Sequence, residues 1–250
     1  MKISVLTPCY RSGAFLEQAI QSVLAQKDPD FEHIVVDGGS DDETVSILKK
    51  HSHLTWISEP DDGQSDAMNK AFGLSAGDVI VYLNADDTFE PGAFQLIREA
   101  WKKDPDADMF VGDLLLVRPD KQVRIQPTVV YLELLLFYRK RFPYNPVSYF
   151  YKRQVQQQIG PFPKAKHHTM DFWFLLNAYQ RFRIRKLDGV LGSFHMHEAN
   201  KTSLVDSNIL CLKSAINHCL KHDPGKLPFL LRHWVVFRYF GGSRKHRPEV

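Results

Sequence analysis

Cysteine is scarce in this chain. Cys9, Cys211 and Cys219 are all there are in 250 residues. Their number is odd and their spacing suits no metal, which excludes a disulfide scaffold and points to a reducing compartment, the cytoplasm. No apolar run is long enough to span a bilayer. The apolar residues after Met1-Lys2 are too few for a secretion signal. A P-loop and a G-x-G-x-x-G are both missing, which disfavours a P-loop NTPase and a dinucleotide enzyme. Net charge is small, +3. Acid is missing from one long interval, between Glu133 and Asp171. That interval holds Arg139, Lys140, Arg141, Lys152, Arg153, Lys164 and Lys166, interleaved with Tyr138, Phe142, Tyr144, Tyr149, Phe150 and Tyr151. One-sided charge among so many aromatics points to an anionic partner.

Against these absences stands an ordinary globular composition, 44% hydrophobic and 24% charged. Its central feature is Gly77-Asp78-Val79-Ile80-Val81-Tyr82-Leu83-Asn84-Ala85-Asp86-Asp87. Five apolar residues run without a break, as in a strand buried on both faces, and then meet acid. Carboxylates at such a strand end are costly without compensation. A hard cation held with a phosphate ligand would compensate them, because Mg²⁺ needs only one or two carboxylates beside phosphate oxygens. A polar turn that merely stops the strand fits the same residues.

The pattern before this segment is strand and helix repeated three times. Strands are expected at Ile3 to Leu6, His33 to Val36 and Leu54 to Ser58. Helices are expected over 13–26, after a Ser40…Glu43 capping box with Val45 and Leu48 inward, and over 65–75. The interval of about thirty residues is that of βαβ units, hence an α/β fold with a mostly parallel sheet. Right-handed crossovers bring the helix-leading loops to one edge. Thr7, Asp37, Glu59 to Gln64, and Asn84 to Asp87 should therefore converge. Beyond it, Pro91 should open a helix carrying Phe94, Ile97 and Trp101. Strands are expected at Met109 to Val117, interrupted by Asp113, at Gln122 to Gln126, and at Val190 to Phe194. Helices are expected at Met170 to Tyr179, from Cys211, and at Phe229 to Phe240.

Seven short motifs in this order resemble the family 2 glycosyltransferases of GT-A fold over residues 3 to about 203. They are Ser4-Val5-Leu6-Thr7-Pro8-Cys9-Tyr10; Val35-Val36-Asp37-Gly38-Gly39-Ser40-Asp41-Asp42; Glu59 through Lys70; Leu83-Asn84-Ala85-Asp86-Asp87; Gly160-Pro161-Phe162; Met170-Asp171-Phe172; and His195-Met196-His197 before Lys201-Thr202-Ser203. The resemblance implies inverting transfer of a sugar from a nucleotide-sugar, a UDP-sugar, to an acceptor hydroxyl of a glycan or lipid-linked molecule. It implies that Thr7, Pro8 and Tyr10 flank base and ribose. Asp37 then accepts a hydrogen bond from the base, beside Gly38. Asp62, Gln64, Asn69, Asn84 and Ala85 line the donor site. Asp86, with His197 near, holds a divalent cation, Mn²⁺ or Mg²⁺, and Asp171 is the catalytic base. It also implies a Rossmann-like sheet flanked by helices, with a donor half over 1–90, an acceptor half over 91–203 and a C-terminal helical extension over 204–250.

Two residues depart from the family pattern. Asn84 replaces the usual first Asp, which weakens the case for tight metal binding; Asn84→Asp is expected to leave activity unchanged or raise it. His195 stands where relatives often carry Arg. For Asp171 a helix N-cap role competes with the base role, and Thr169 competes for that cap. The basic interval and the segment from Phe229 to Phe240 suggest peripheral contact with the inner membrane face and a lipid-phosphate acceptor. Two other functions compete. A non-catalytic nucleotide-sugar-binding subunit would neither hydrolyse nor transfer the donor. A nucleic-acid binder would show steep salt dependence, but the acidic strand ends would repel nucleic acid, and none is expected as a partner.

Overall fold

The computed structural model describes residues 1–135, 143, 145–166, 169–198, 200 and 207–231. Among them nine strands form one sheet. The N-terminal half follows the expected order: β1 (Ile3–Cys9), α1 (Leu16–Leu24), β2 (Phe31–Asp37), α2 (Thr44–Leu48), β3 (Leu54–Ser58), α3 (Gln64–Leu74) and β4 (Val79–Tyr82). Strands β3, β2, β1 and β4 are all parallel neighbours. Helix α1 forms because Leu16, Ala19, Ile20 and Val23 recur at helical spacing and bury one face. Every residue of β4 is buried, as expected of a strand covered on both sides.

The second half adds β5 (Thr88–Phe89), α4 (Ala93–Lys103), β6 (Met109–Val117), β7 (Gln122–Ile125), α5 (Tyr131–Leu135), β8 (Tyr149–Lys152), α6 (Arg153–Ile159), α7 (Met170–Arg181), β9 (Ile184–His195) and α8 (Ser207–His222). Strand β8 lies antiparallel between β4 and β6. Strand β9 runs parallel to β6 and antiparallel to β5. Strand β7 pairs β6, as its alternating pattern suggested. This is the expected α/β architecture, a mixed, mostly parallel sheet with helices on both faces. Helix α8 buries Cys211, Ala215 and Cys219 in the same core as α7, and Ser214 donates to Thr169 at 3.2 Å.

Several local expectations change. Ser40 forms no capping box, because its N–H and hydroxyl both go to Asp37. Helix α2 starts at Thr44 instead, and Ile47 rather than Val45 joins Leu48 inside. Pro91 does not open α4; Gly92, at φ +80°, is its N-cap and the helix begins at Ala93. Asp113 interrupts the pairing of β6, as expected, while the strand continues to Val117. Asp113 is buried at an irregularity in the pairing with β9 and held by Arg124 and Lys186. Paired cations make such burial tolerable.

The acid-free interval changes most. Tyr149, Phe150 and Tyr151 form β8 and are at most 2% exposed, so they are core and not a binding surface. Lys152 donates to the Pro105 carbonyl, and Arg153 donates to the Gly77 carbonyl and Ser75. These cations tie β8 and α6 to the sheet, which accounts for them without an anionic partner. The expectations for residues 136–142, Tyr144, 201–203 and 232–240 lie outside the described residues.

One buried group gives a stability prediction. His33 in β2 is 1% exposed and lies 2.9 Å from the Thr7 hydroxyl. Burial first, then His53 and His51, press its imidazole down from 6.5 to about 3. It folds neutral, whereas the unfolded chain takes up a proton below pH 6.5. Each pH unit below that removes about 1.4 kcal/mol of stability until the folded value is reached. Urea denaturation at pH 7, 6 and 5 should show this, and His33→Gln should flatten the fall by about that slope. An equal fall in both proteins would deny His33 the role.

Candidate active site

The loops expected to converge do so. The Gly38 N–H donates to the Cys9 carbonyl at 2.9 Å, joining the ends of β1 and β2. The Glu59 N–H donates to the Asp37 carbonyl at 3.0 Å, joining β2 and β3. Gln64 Nε2 donates to Asn84 Oδ1 at 3.1 Å, joining the start of α3 to the end of β4. One polar edge results, as an open parallel sheet dictates.

Asp86 and His197 lie 111 residues apart in sequence, yet Asp86 Oδ2 and His197 Nε2 are 3.1 Å apart. The imidazole stacks on Phe15, with centroids 4.5 Å apart and planes 14° from parallel. Asn200 donates from Nδ2 to the same Asp86 oxygen at 3.0 Å, and its Oδ1 accepts the His197 N–H at 2.5 Å. Phe15 and Asn200 were not singled out in the sequence. Only the turn spacing from His197 to Asn200 could have hinted at the second.

Asp87 is the buried hub beneath this pair. It is wholly buried and accepts hydrogen bonds from Asn84 Nδ2 at 2.9 Å, Asn145 Nδ2 at 2.6 Å and the His195 N–H at 3.2 Å. Burial, and then the Asp86 charge, push its carboxyl well above the usual range, against the pull of those donors. Asn84 thus has its own function: it accepts from Gln64 and donates to Asp87. Thr88 lies 3.1 Å from His195 Nε2, so His195 is tied to β5.

Asp171 stands in the first turn of α7, partly buried, one residue after Met170. Ser65 donates to Met170 Sδ at 2.9 Å, so the start of α7 abuts the start of α3, next to Gln64. Burial first and the Asp171 charge next hold the Tyr149 hydroxyl well above its ordinary pKa. Thr169 is the N-cap residue of α7, but its side chain caps nothing there.

Other expected donor residues have structural partners. Thr7 and Pro8 are buried in β1, and Ala85 is buried after β4. Asn69 clamps Phe162, donating to its carbonyl at 2.9 Å and accepting its N–H at 2.8 Å. Asp62 is paired with Lys164 at 2.8 Å, which also reaches Asp66 at 2.9 Å. Tyr10 is 57% exposed, with the Arg11 guanidinium 5.4 Å from its ring centroid. Asp37 is wholly buried.

The donor set suits a hard or borderline cation: one carboxylate and one imidazole, a set that phosphate oxygens would have to complete. Among the described residues no cluster of three or more His, Cys, Asp or Glu side chains forms.

The sequence model for glycosyl transferase family 2 matches residues 4–170. The chain belongs to glycosyl transferase family 2. An uncharacterized glycosyltransferase of Nostoc sp. is 35% identical over 107 residues, which are 41% of this chain and 33% of that protein. The first curated relatives are thus matched over about a third of their own length. Among solved structures, S. aureus TarS in complex with UDP-GlcNAc superposes with a TM-score of 0.75 at 21% identity, covering 99% of this chain and 76% of that one. Glucosyl-3-phosphoglycerate synthase from Mycobacterium tuberculosis, in complex with Mn²⁺, UDP and glucosyl-3-phosphoglycerate, superposes at 0.64 with 15% identity, over 87% and 80%. These likenesses establish the GT-A fold. No helix among the described residues is long and apolar enough to cross a membrane.

Proposed function

We propose that this family 2 member transfers a sugar, with inversion, from a UDP-sugar to an acceptor hydroxyl of a glycan or lipid-linked molecule. The observation that carries the reading is the Asp86–His197 contact at 3.1 Å. It sits at the carboxyl edge of the sheet, with Asp171 reached through Ser65 and Met170. Family membership supports it, as do the ligands of the two structural neighbours, a UDP-sugar in one and Mn²⁺ with UDP in the other.

Inversion at an anomeric carbon needs a base on the acceptor side and charge relief on the leaving side. Asp171 would take the proton of the attacking hydroxyl. Asp86 and His197 would hold Mn²⁺ or Mg²⁺ against the donor diphosphate, where the cation supplies the charge relief. Phe15 and Asn200 fix the His197 ring, and Asp87 fixes Asn84 and the end of β9. Gln64 and Asn84, bonded to each other at 3.1 Å, join the start of α3 to the end of β4 beside them.

A thermal-shift screen of nucleoside diphosphates and nucleotide-sugars with Mn²⁺ or Mg²⁺ tests the reading. A ligand at a hundred times its Kd adds about 2.7 kcal/mol of stability. UDP and at least one UDP-sugar should raise Tm only with the cation, and the same sugar should be hydrolysed or transferred. Binding without turnover on any acceptor would leave a non-catalytic subunit.

A further inference from the structure

The first turn of α3 is bonded to the neighbours of both reactive groups. Gln64 donates to Asn84 at 3.1 Å, two residues before Asp86. Ser65 donates to Met170 at 2.9 Å, one residue before Asp171. The chain leads toward α7 through a strap over 160–166. Phe162 anchors that strap. It is 2% exposed, and its ring meets Tyr82 and Phe174 with centroids 5.5 and 5.2 Å away. Asn69 of α3 bonds its N–H and its carbonyl. Pro161 and Pro163 flank it and fix two backbone φ angles.

Lys164 comes next. Its Nζ donates to Asp62 at 2.8 Å and to Asp66 Oδ1 at 2.9 Å. The other Asp66 oxygen accepts the Asp62 N–H at 3.2 Å. One ammonium thus joins the strap to both sides of Gly63, whose φ of +96° makes the turn into α3. Lys70 lies 3.6 Å from Asp66, but it stands on α3 itself and cannot replace the link to the strap. Beyond Lys164, the Lys166 N–H donates to the Pro163 carbonyl at 3.0 Å, the Thr169 N–H to the Lys166 carbonyl at 3.1 Å, and the Trp173 N–H to the Thr169 carbonyl at 2.9 Å. A shift at Lys164 is therefore passed by backbone bonds into the first turn of α7. Lys164 and Asp62 are exposed, so the pair adds little to stability. Its effect is geometric.

We propose that Lys164 is a positioning residue for Asp171. By bonding Asp62 and Asp66 it holds the strap, and through it the start of α7, where the Asp171 carboxylate reaches the attacking hydroxyl. The proposal rests on the reading of Asp171 as the base. A general base acts only within hydrogen-bond reach, and a misplacement of about 1 Å can lower a rate about a hundredfold.

Two measurements on the full chain test this, with melting temperature as the folding control. The first is hydrogen exchange. Lys164→Ala should speed exchange at the Trp173 amide, and Lys164→Arg should not, because a guanidinium fork can bond both carboxylates. The second is UDP release from UDP-glucose, UDP-galactose and UDP-GlcNAc in Mn²⁺, beside the calorimetric Kd of UDP. Lys164→Ala should lower kcat about ten- to a hundredfold while the UDP Kd stays within about twofold, and Lys164→Arg should restore most of the rate. In an Asp171→Asn background the same Lys164→Ala change should cost less than about twofold, since a residue that acts through the base then has nothing to position. Equal losses in both backgrounds would overturn the proposal. So would unchanged exchange, normal turnover in folded Lys164→Ala, or UDP binding weakened along with the rate. Normal turnover in Asp171→Asn refutes the base reading itself, and the proposal with it; failure of Lys164 alone leaves the Asp171→Asn loss in place.

Discussion

Asp171→Asn is expected to lower kcat by about 10²–10⁴-fold, the usual range for loss of a general base, with the donor Kd nearly unchanged. An acceptor hydroxyl is a poor nucleophile at neutral pH and must lose its proton as it attacks. Asn keeps the shape of Asp and removes the basicity. Asp171 is the only acid between Glu133 and Asp188. The buried side chains of β8 behind it are Tyr149, Phe150 and Tyr151, so no carboxylate from that strand can substitute. Transfer rate and UDP Kd should be measured on one preparation, with Tm as the folding control. Near-normal turnover in a folded variant removes Asp171 from the mechanism. Lost donor binding would make it a donor-site residue.

The second large effect is expected at the cation position. Asp86→Ala should abolish the Mn²⁺-dependent part of UDP binding, and excess chelator should abolish transfer by wild type. Removing the carboxylate leaves His197 and Asn200 facing one another at 3.2 Å, with no anion to hold a cation. Full activity in chelator would sink the cation proposal. For the neighbouring residue the structure adds a stability cost to the activity expectation drawn from sequence. Asn84→Asp adds the family's missing carboxylate, but it also replaces the amide that donates to Asp87 at 2.9 Å. Two carboxylates would then face each other over a wholly buried group. A loss of about 1–3 kcal/mol in stability should follow, read by urea denaturation. A stability equal to wild type would show that the hub tolerates the charge.

Much of the parallel half was legible because its signals are local. Apolar runs at Ile3, His33, Leu54 and Val79, separated by helical spacing, fix four strands and three crossovers, and the crossover rule then brings their loops together. The antiparallel insertion was not legible. Tyr149-Phe150-Tyr151-Lys152 carries no alternation, and its cations drew attention to a partner that the fold does not require. The Asp86–His197 pair was expected from motif order. Its support from Phe15 was not, nor was the contact of Asn145 with Asp87 beneath it, because both act across separations that no sequence window spans; Asn200 left only a turn spacing from His197. The bonds of Asp37 to Ser40 and Ser58 were hidden for another reason: a strand-end acid looks alike in sequence whether it faces a ligand or locks a turn.

The place of β8 has a consequence for how the chain is made. Strand β4 pairs with β1 on one side and with β8 on the other, Val79 lying opposite Lys152. On a ribosome the first four strands can assemble from contiguous chain while β8 is still unmade. At roughly 5–20 residues per second, that interval lasts several seconds. Throughout it, Val79-Ile80-Val81-Tyr82 presents an unpaired apolar edge to other nascent chains. A nascent chain stalled between residues 90 and 150 should therefore be the aggregation-prone species. Chaperone demand should fall once Tyr149 to Lys152 have emerged.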